Sequence, residues 1–190
     1  MDLRDAQAIG PGVDTSRNVL GTIGGLVHSA GTVEVTGIQG VTPANWDAGI
    51  HLHTRALVLV VQAILADLEM NSGSAIVAIA SINATLGAGT IPIYTAAKAG
   101  VLGLVRSMAD ELGRDSIRIN AVSPGVIDTP IIAPTLTVIP REQFERRVQL
   151  GRLGRAEEVG RVVRFLLSNE ASYMTAAEIL VDGGNVTSQR

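Results

Sequence analysis

Short aliphatic runs alternate along this chain with longer segments in which apolar residues recur every three or four positions. The runs fall at Leu26–Val27, Ala75–Ala80, Ile117–Val122 and Ile179–Val181, bounded by Gly, Ser, Pro or Asp and with little polar alternation inside them. Such runs suit strands covered on both faces, as in a parallel sheet. The longer segments, Trp46–Glu69, Thr95–Leu112 and Glu157–Leu167, carry helical spacing. Strand followed by helix followed by strand predicts right-handed crossovers and a doubly wound parallel α/β sheet. Pro43 precedes the first long helix, Glu157 and Glu158 fall in the opening turn of the last, where the helix dipole favours negative charge, and Gly113 marks a C-terminal stop. Thr129–Gly151 holds three prolines and shows no period before Glu142, which predicts a long functional loop. No repeat, linker or low-complexity tract interrupts residues 1–190, so a single domain is expected.

Composition narrows the function classes. The chain is 46% hydrophobic and 17% charged, enough apolar surface to offset chain entropy, and only 3% aromatic, so the core is aliphatic. The formal net charge is -3 with no basic run, which gives no footprint for nucleic acid. Cysteine is absent, which removes disulfides and thiolate chemistry. The start, Met-Asp-Leu-Arg-Asp, is not a signal peptide, and the apolar stretch Ala56–Ala66 is broken by Gln62 and too short to span a bilayer. A cytoplasmic protein with no membrane partner is expected.

The chemistry concentrates in Tyr94-Thr95-Ala96-Ala97-Lys98. On a helix, positions four apart share a face, so phenol and ammonium address one spot. A phenol with pKa of roughly 10 is a poor base at neutral pH, and a nearby ammonium lowers that value. Alone, such a pair is most often a solvated helix face. Context changes this. Ser81 ends an apolar run 13 positions before Tyr94, and strand ends in such sheets face the ligand crevice. A further strand runs into Ser123-Pro124-Gly125-Val126-Ile127-Asp128-Thr129.

Ser81, Tyr94, Lys98 and the Pro124-Gly125…Thr129 segment resemble the short-chain dehydrogenase/reductase family. So do Ser29-Ala30-Gly31, Gly151-Arg152-Leu153-Gly154-Arg155 and Asp182-Gly183-Gly184. The resemblance implies a Rossmann-like fold and hydride transfer between NAD or NADP and a small-molecule alcohol or ketone. Tyr94 would exchange a proton with the substrate oxygen. Lys98 would lower the tyrosine's pKa and hold the nicotinamide ribose, and Ser81 would hold the substrate oxygen. The backbone of Pro124, Gly125 and Ile127, with the Thr129 hydroxyl, would hold the carboxamide. His28, Ala30 and Gly31 would lie along the cofactor, and Asp2 and Leu3 beside the adenine. Family members commonly pair through the two long helices, so a homo-oligomer, dimer or tetramer, is implied. The loop after Thr129, with Ile131, Ile132, Leu136, Val138 and Ile139, hints at an apolar substrate.

The chain also departs from the family. No T-G-x-x-x-G-x-G turn occurs in it, and its matching region starts where members finish their third strand. Two βαβ units, on the order of 60 residues, are thus expected to be absent, which makes the chain an N-terminally truncated form and leaves the strand at Leu26 with an open side. Without the phosphate-binding turn, a catalytically silent binding or assembly module, or an inactive fragment of a full-length enzyme, are the competing readings. Two histidines replace family asparagines: His28, before Ser29-Ala30-Gly31, and His53, 28 residues before Ser81. His53 can donate a hydrogen bond, join in proton transfer, or simply pack. His51 and His53, two apart, point to different helix faces and suggest no metal site.

Overall fold

The computed structural model describes residues 1–188. Its first element, α1 (Ala6–Leu20), is a helix that the periodicity did not predict. Gly10-Pro11-Gly12 hides it, because both residue types disfavour helix interiors and Pro11 removes one backbone donor. Packing outweighs that cost. Asp5 caps the helix by accepting from the Gln7 N–H at 2.9 Å, Ile9 and Val13 are buried, and Arg17 Nη2 donates to the Ala63 carbonyl at 2.6 Å.

The chain then forms β1 (Gly25–His28), followed by α2 (Pro43–Ile50), a π-helical turn (His51–Arg55) and α3 (Ala56–Met70) in one continuous helix. A capping box starts that helix: Thr42 Oγ1 accepts from the Asn45 N–H at 3.2 Å, and Asn45 Oδ1 accepts from the Thr42 N–H at 2.8 Å. Next come β2 (Ala75–Ile79), α4 (Asn83–Leu86), α5 (Pro92–Arg114) and β3 (Arg118–Pro124). The C-terminal part holds β4 (Ile127–Asp128), α6 (Ala133–Leu136), α7 (Arg141–Glu145), β5 (Gly154–Arg155), α8 (Ala156–Leu167) and β6 (Glu178–Val181).

The main sheet is wholly parallel in the order β1-β2-β3-β6, with Val27 beside Val77, Val77 beside Asn120 and Val122 beside Ile179. Helices cover both faces. Leu57, Ile64 and Leu68 of α3 and Val101 and Val105 of α5 pack with Ile76 and Ile119 on one side. Leu166 of α8 packs with Val77 and Val122 on the other. This is the doubly wound α/β architecture, and the near-total burial of β2 and β3 explains their unbroken aliphatic sequence. β1 forms one edge of the described sheet and is half open, with Val27 41% exposed.

Several boundaries differ from expectation. α5 runs past Gly113 to Arg114, and the chain reverses at Ser116, which takes φ 59°. The segment 129–151 is not featureless, since α6 and α7 lie within it, and β4 and β5 form a small parallel pair of their own. The helix Pro43–Met70 spans 28 residues, long and apolar enough by length and composition to cross a membrane, although the sequence suggested too short a run. The difference arises because flanking polar positions continue the same helix, and its buried side, Leu57, Ile64 and Leu68, packs on the sheet.

Arg118 ties β3 to α8. Its buried guanidinium donates to the Leu166 carbonyl at 2.7 Å and the Ser168 carbonyl at 3.0 Å, closing the C-terminal end of α8. Replacing it with methionine leaves both carbonyls without this donor. The expected loss is about 1–3 kcal/mol of unfolding free energy in urea melts; an unchanged midpoint would show that the contact adds nothing.

Candidate active site

The ends of β2 and β3 fix the position of Ser81. Ala80 N–H donates to the Val122 carbonyl at 2.7 Å and Ile82 N–H to the Pro124 carbonyl at 3.1 Å, so the residue between them is held against the neighbouring strand end. Ser81 is buried, and its hydroxyl accepts from the Asn83 N–H at 3.2 Å. α5 begins with Pro92 in its first turn, where the missing donor costs nothing. Tyr94 and Lys98 follow one turn apart. Lys98 is 4% exposed; its Nζ donates to the Ile79 carbonyl at 2.6 Å and lies 5.6 Å from the Tyr94 ring centroid. The Ser81 hydroxyl is near enough to the Tyr94 phenol to lower its pKa. The structure thus brings the hydroxyl, phenol and ammonium together where β2 ends.

The electrostatics reverse one expectation. Lys98 was expected to pull the phenol pKa down. Instead burial raises the Tyr94 pKa above its ordinary value, opposed only by the nearby Ser81 hydroxyl. Burial also depresses Lys98 to about 8. The physical reason is that both groups are stripped of water while the ammonium is turned toward the Ile79 carbonyl. At neutral pH Tyr94 is therefore a protonated donor, and the cluster suits giving a proton to an oxygen that gains negative charge.

The long helix departs from α geometry beside this cluster. Ala56 N–H reaches back five residues to the His51 carbonyl. His53, 1% exposed, stands edge-on to Tyr94 with centroids 5.6 Å apart and planes at 84°. Its Nε2 lies 3.0 Å from the Thr32 carbonyl oxygen and 3.3 Å from the Thr32 nitrogen. His28, also buried, donates from Nε2 to the His53 carbonyl at 3.2 Å. Burial first, and Lys98 second, depress both imidazoles, His53 to about 4, so both are neutral at pH 7. Gly31 is dictated here: a Cβ on it would sit 2.3 Å from His53 Cε1. Ala30 precedes it, two residues beyond the end of β1.

The remaining sequence candidates form two outlying groups. Asp2 is exposed, and Arg4 holds its carboxyl at 2.8 Å and lowers its pKa to about 2, while Leu3 packs against the core. Arg55 Nη2 donates to the Arg4 carbonyl at 2.6 Å, which ties this segment to the end of the π-turn. On the other side, Pro124 ends β3 and Gly125 N–H donates to the Val181 carbonyl at 3.0 Å. Ile127 pairs with Gly154 in the small sheet, and the Thr129 hydroxyl donates to the Ile127 carbonyl at 3.3 Å. Ile127, Leu150 and Asp182 help line a cavity of about 110 Å³. A smaller one, about 10 Å³, adjoins His53 and Tyr94, and its walls include Thr32, Glu34 and Ile93. Sequence reasoning did not single out these last three. Ile93 is marked only by adjacency to Tyr94, and nothing in sequence links the loop residues Thr32 and Glu34 to a helix 20 positions away.

A nicotinamide cofactor fits these residues in one respect that the structure itself supplies: buried donors at Ser81 and Lys98 stand with the half-buried phenol of Tyr94, while the room beside Gly31 is taken by the His53 ring. The profile of the family described as enoyl-(acyl carrier protein) reductase matches residues 1–185. An uncharacterised short-chain type dehydrogenase/reductase of Sinorhizobium fredii is 33% identical over 185 residues, 96% of this chain and 73% of that protein. A 3-oxoacyl-(acyl-carrier-protein) reductase of Thermotoga maritima is 36% identical over 166 residues, 87% of this chain and 67% of that protein. The NADPH-bound structure of a short-chain oxidoreductase of Pseudomonas aeruginosa PAO1, described as containing an atypical catalytic centre, superposes with TM-score 0.89. It has 29% identity over 96% of this chain and 73% of that one.

The depressed imidazoles set a pH dependence of stability. Between about pH 4 and 6.5 the unfolded chain binds protons that folded His53 refuses, so stability falls as pH drops through that window. The His53 share is at most about 3 kcal/mol. Urea melts from pH 7 to 4.5 should show this slope, and His53→Asn should flatten it, leaving the part due to His28. Equal slopes in both proteins would contradict a neutral, buried His53.

Proposed function

Since this chain belongs to the short-chain dehydrogenase/reductase family of oxidoreductases, we propose that it transfers a hydride between NAD or NADP and an alcohol or ketone, with Ser81, Tyr94 and Lys98 as catalytic residues. The observation that carries the proposal is the convergence of buried Ser81 and Lys98 with the half-buried phenol of Tyr94 at the end of β2, with Lys98 pinned to the Ile79 carbonyl. When bound, the nicotinamide supplies or accepts the hydride. In the reducing direction Tyr94 gives its phenolic proton to the carbonyl oxygen as that oxygen becomes an alkoxide. Ser81 donates a hydrogen bond to the same oxygen. Lys98, with donors left after Ile79, stabilises the phenolate and holds the ribose hydroxyls. In the oxidising direction the same proton returns to the phenolate from the alcohol.

On this reading Pro124, Gly125 and Ile127 offer main-chain groups to the carboxamide, joined by the Thr129 hydroxyl. His28, Ala30 and Gly31 border the ribose side. Asp2 and Leu3 meet the adenine, where Asp2 must share its carboxylate with Arg4. The names of the relatives support a carbonyl substrate and a nicotinamide dinucleotide: one is a 3-oxoacyl reductase, another was solved with NADPH. The proposal extends to a homo-oligomer in the cytoplasm, acting without nucleic acid or membrane. Its support is the net charge of -3 and the long helix, whose most apolar 18-residue window is only 33% buried and leaves Trp46 and Val58 open for a second copy.

Tyr94→Phe removes the proton donor and keeps the ring against His53. Reduction of a panel of ketones with NADPH and NADH should fall roughly 10²–10⁴-fold in kcat, with cofactor binding by fluorescence titration little changed. Retained kcat in the variant would sink the assignment of Tyr94. Failure of the parent chain to bind either cofactor would favour the silent-module reading.

A further inference from the structure

We propose that Glu34 is a specificity-determining residue, whose carboxylate accepts a hydrogen bond from a second hydroxyl of the substrate, so that the site selects polyhydroxylated alcohols and carbonyl compounds over purely apolar ones. The inference rests on the reading of Tyr94 as the proton donor and gives that reading a substrate class. Three observations carry it. First, Glu34 and Tyr94 wall one cavity, so a molecule whose oxygen meets the phenol has the carboxylate alongside it. Second, no Lys or Arg among the described residues forms an ion pair with Glu34, whereas Asp2 is held by Arg4 and Glu158 by Arg152. Glu34 is also exposed, so its oxygens trade solvent for a ligand hydroxyl without burying an unpaired charge. Third, the main chain is tied on both sides of it. His53 Nε2 meets the Thr32 main chain, 3.0 Å from its oxygen and 3.3 Å from its nitrogen, and the Thr36 and Gly37 N–H groups donate to the Thr90 carbonyl at 3.0 and 3.1 Å. Glu34 rides on residues 33–35 between these anchors, which sets the reach of its carboxylate before any ligand arrives.

The chemistry of the wall selects the ligand. A carboxylate only accepts, so it favours a donor and repels a carboxylate or phosphate at the same place. Thr32 lines the cavity too, and its hydroxyl both donates and accepts, the complement of neighbouring hydroxyls rather than of an isolated ammonium. No Lys or Arg lines the cavity among the described residues, and burial keeps His53 neutral, so nothing there draws an anionic ligand. Glu34 takes no part in the proton transfer: the shift of the Tyr94 pKa comes from burial and from Ser81, not from this carboxylate. Its effect therefore falls on which substrate is held, while the phenol acts on whichever one is bound.

The test is steady-state oxidation of D-glucose, D-mannose and D-galactose, their monodeoxy analogues and cyclohexanol, with NAD+ and NADP+, by the parent chain, Glu34→Gln and Glu34→Ala. In the parent, kcat/KM for at least one aldohexose should exceed that for cyclohexanol and for one of its own deoxy analogues. In Glu34→Ala the ratio of aldohexose to cyclohexanol kcat/KM should fall roughly 10–100-fold, chiefly through the aldohexose KM, while the pH profile of kcat keeps its shape. Glu34→Gln, which keeps an acceptor oxygen, should lie between the two. A parent that prefers cyclohexanol, or a ratio that does not move in Glu34→Ala, overturns the proposal. Calorimetric titration of each aldohexose into the same three proteins, with and without NADP+, reads the site where no turnover is seen. Aldohexose binding that Glu34→Ala weakens upholds Glu34 and sinks only the dehydrogenase reading. No aldohexose binding in the parent overturns the role of Glu34, while cofactor-dependent turnover of cyclohexanol would leave the dehydrogenase reading standing.

Discussion

A lysine ammonium held out of water against a single strand-end carbonyl is the constraint on which the site depends. Lys98 Nζ meets the Ile79 oxygen at 2.6 Å, and burial alone draws the lysine pKa to about 8. A charge in such a place is costly unless it is hydrogen-bonded, so the contact locks α5 to β2 at the level of Ser81. Tyr94, one turn earlier, inherits its position from that lock. The small residues of α5, Ala97 among them, let the helix lie close enough for the contact to form.

The two histidines solve a second problem created by the same helix packing. A π-turn shifts the hydrogen-bond ladder and frees main-chain groups that must find partners inside the protein. His28, at the end of β1, donates to the His53 carbonyl, and His53 in turn reaches the main chain of Thr32. Strand, helix and the following loop are thereby stitched together by neutral imidazoles. Neutrality is required, because a second positive charge near Lys98 would be opposed by both desolvation and repulsion.

Much of this was legible in the sequence, for reasons that vary by element. β2 and β3 are covered on both faces, so burial writes itself into unbroken aliphatic runs, and their boundaries fall within two residues of those expected. α1 was invisible because its stability comes from packing by Ile9, Val13 and Arg17 while its own sequence, with Pro11 in the interior, argues against a helix. The pairing of Tyr94 and Lys98 was legible because helical spacing is local. The sense of their pKa shifts was not, because spacing carries no information on burial or on where the ammonium turns. Likewise the acidic-aliphatic pair at Asp2 and Leu3 could be found by pattern, but not that Arg4 already occupies the Asp2 carboxylate.

The upward shift of the phenol has a consequence for direction. By itself the protein holds Tyr94 protonated, the form required to protonate an oxygen during reduction. Oxidation requires the phenolate instead, and the Lys98 charge, shared with Ile79, does not supply it in the structure as it stands. Any added positive charge near the phenol would move its pKa down, and an oxidised nicotinamide ring carries such a charge where the reduced ring does not. On the proposed reading, the phenol pKa of Tyr94 would lie lower beside an oxidised ring than beside a reduced one. Burial, which looks at first like a handicap for a tyrosine base, becomes what makes the phenol responsive, since a group already solvated by water would feel that charge only weakly.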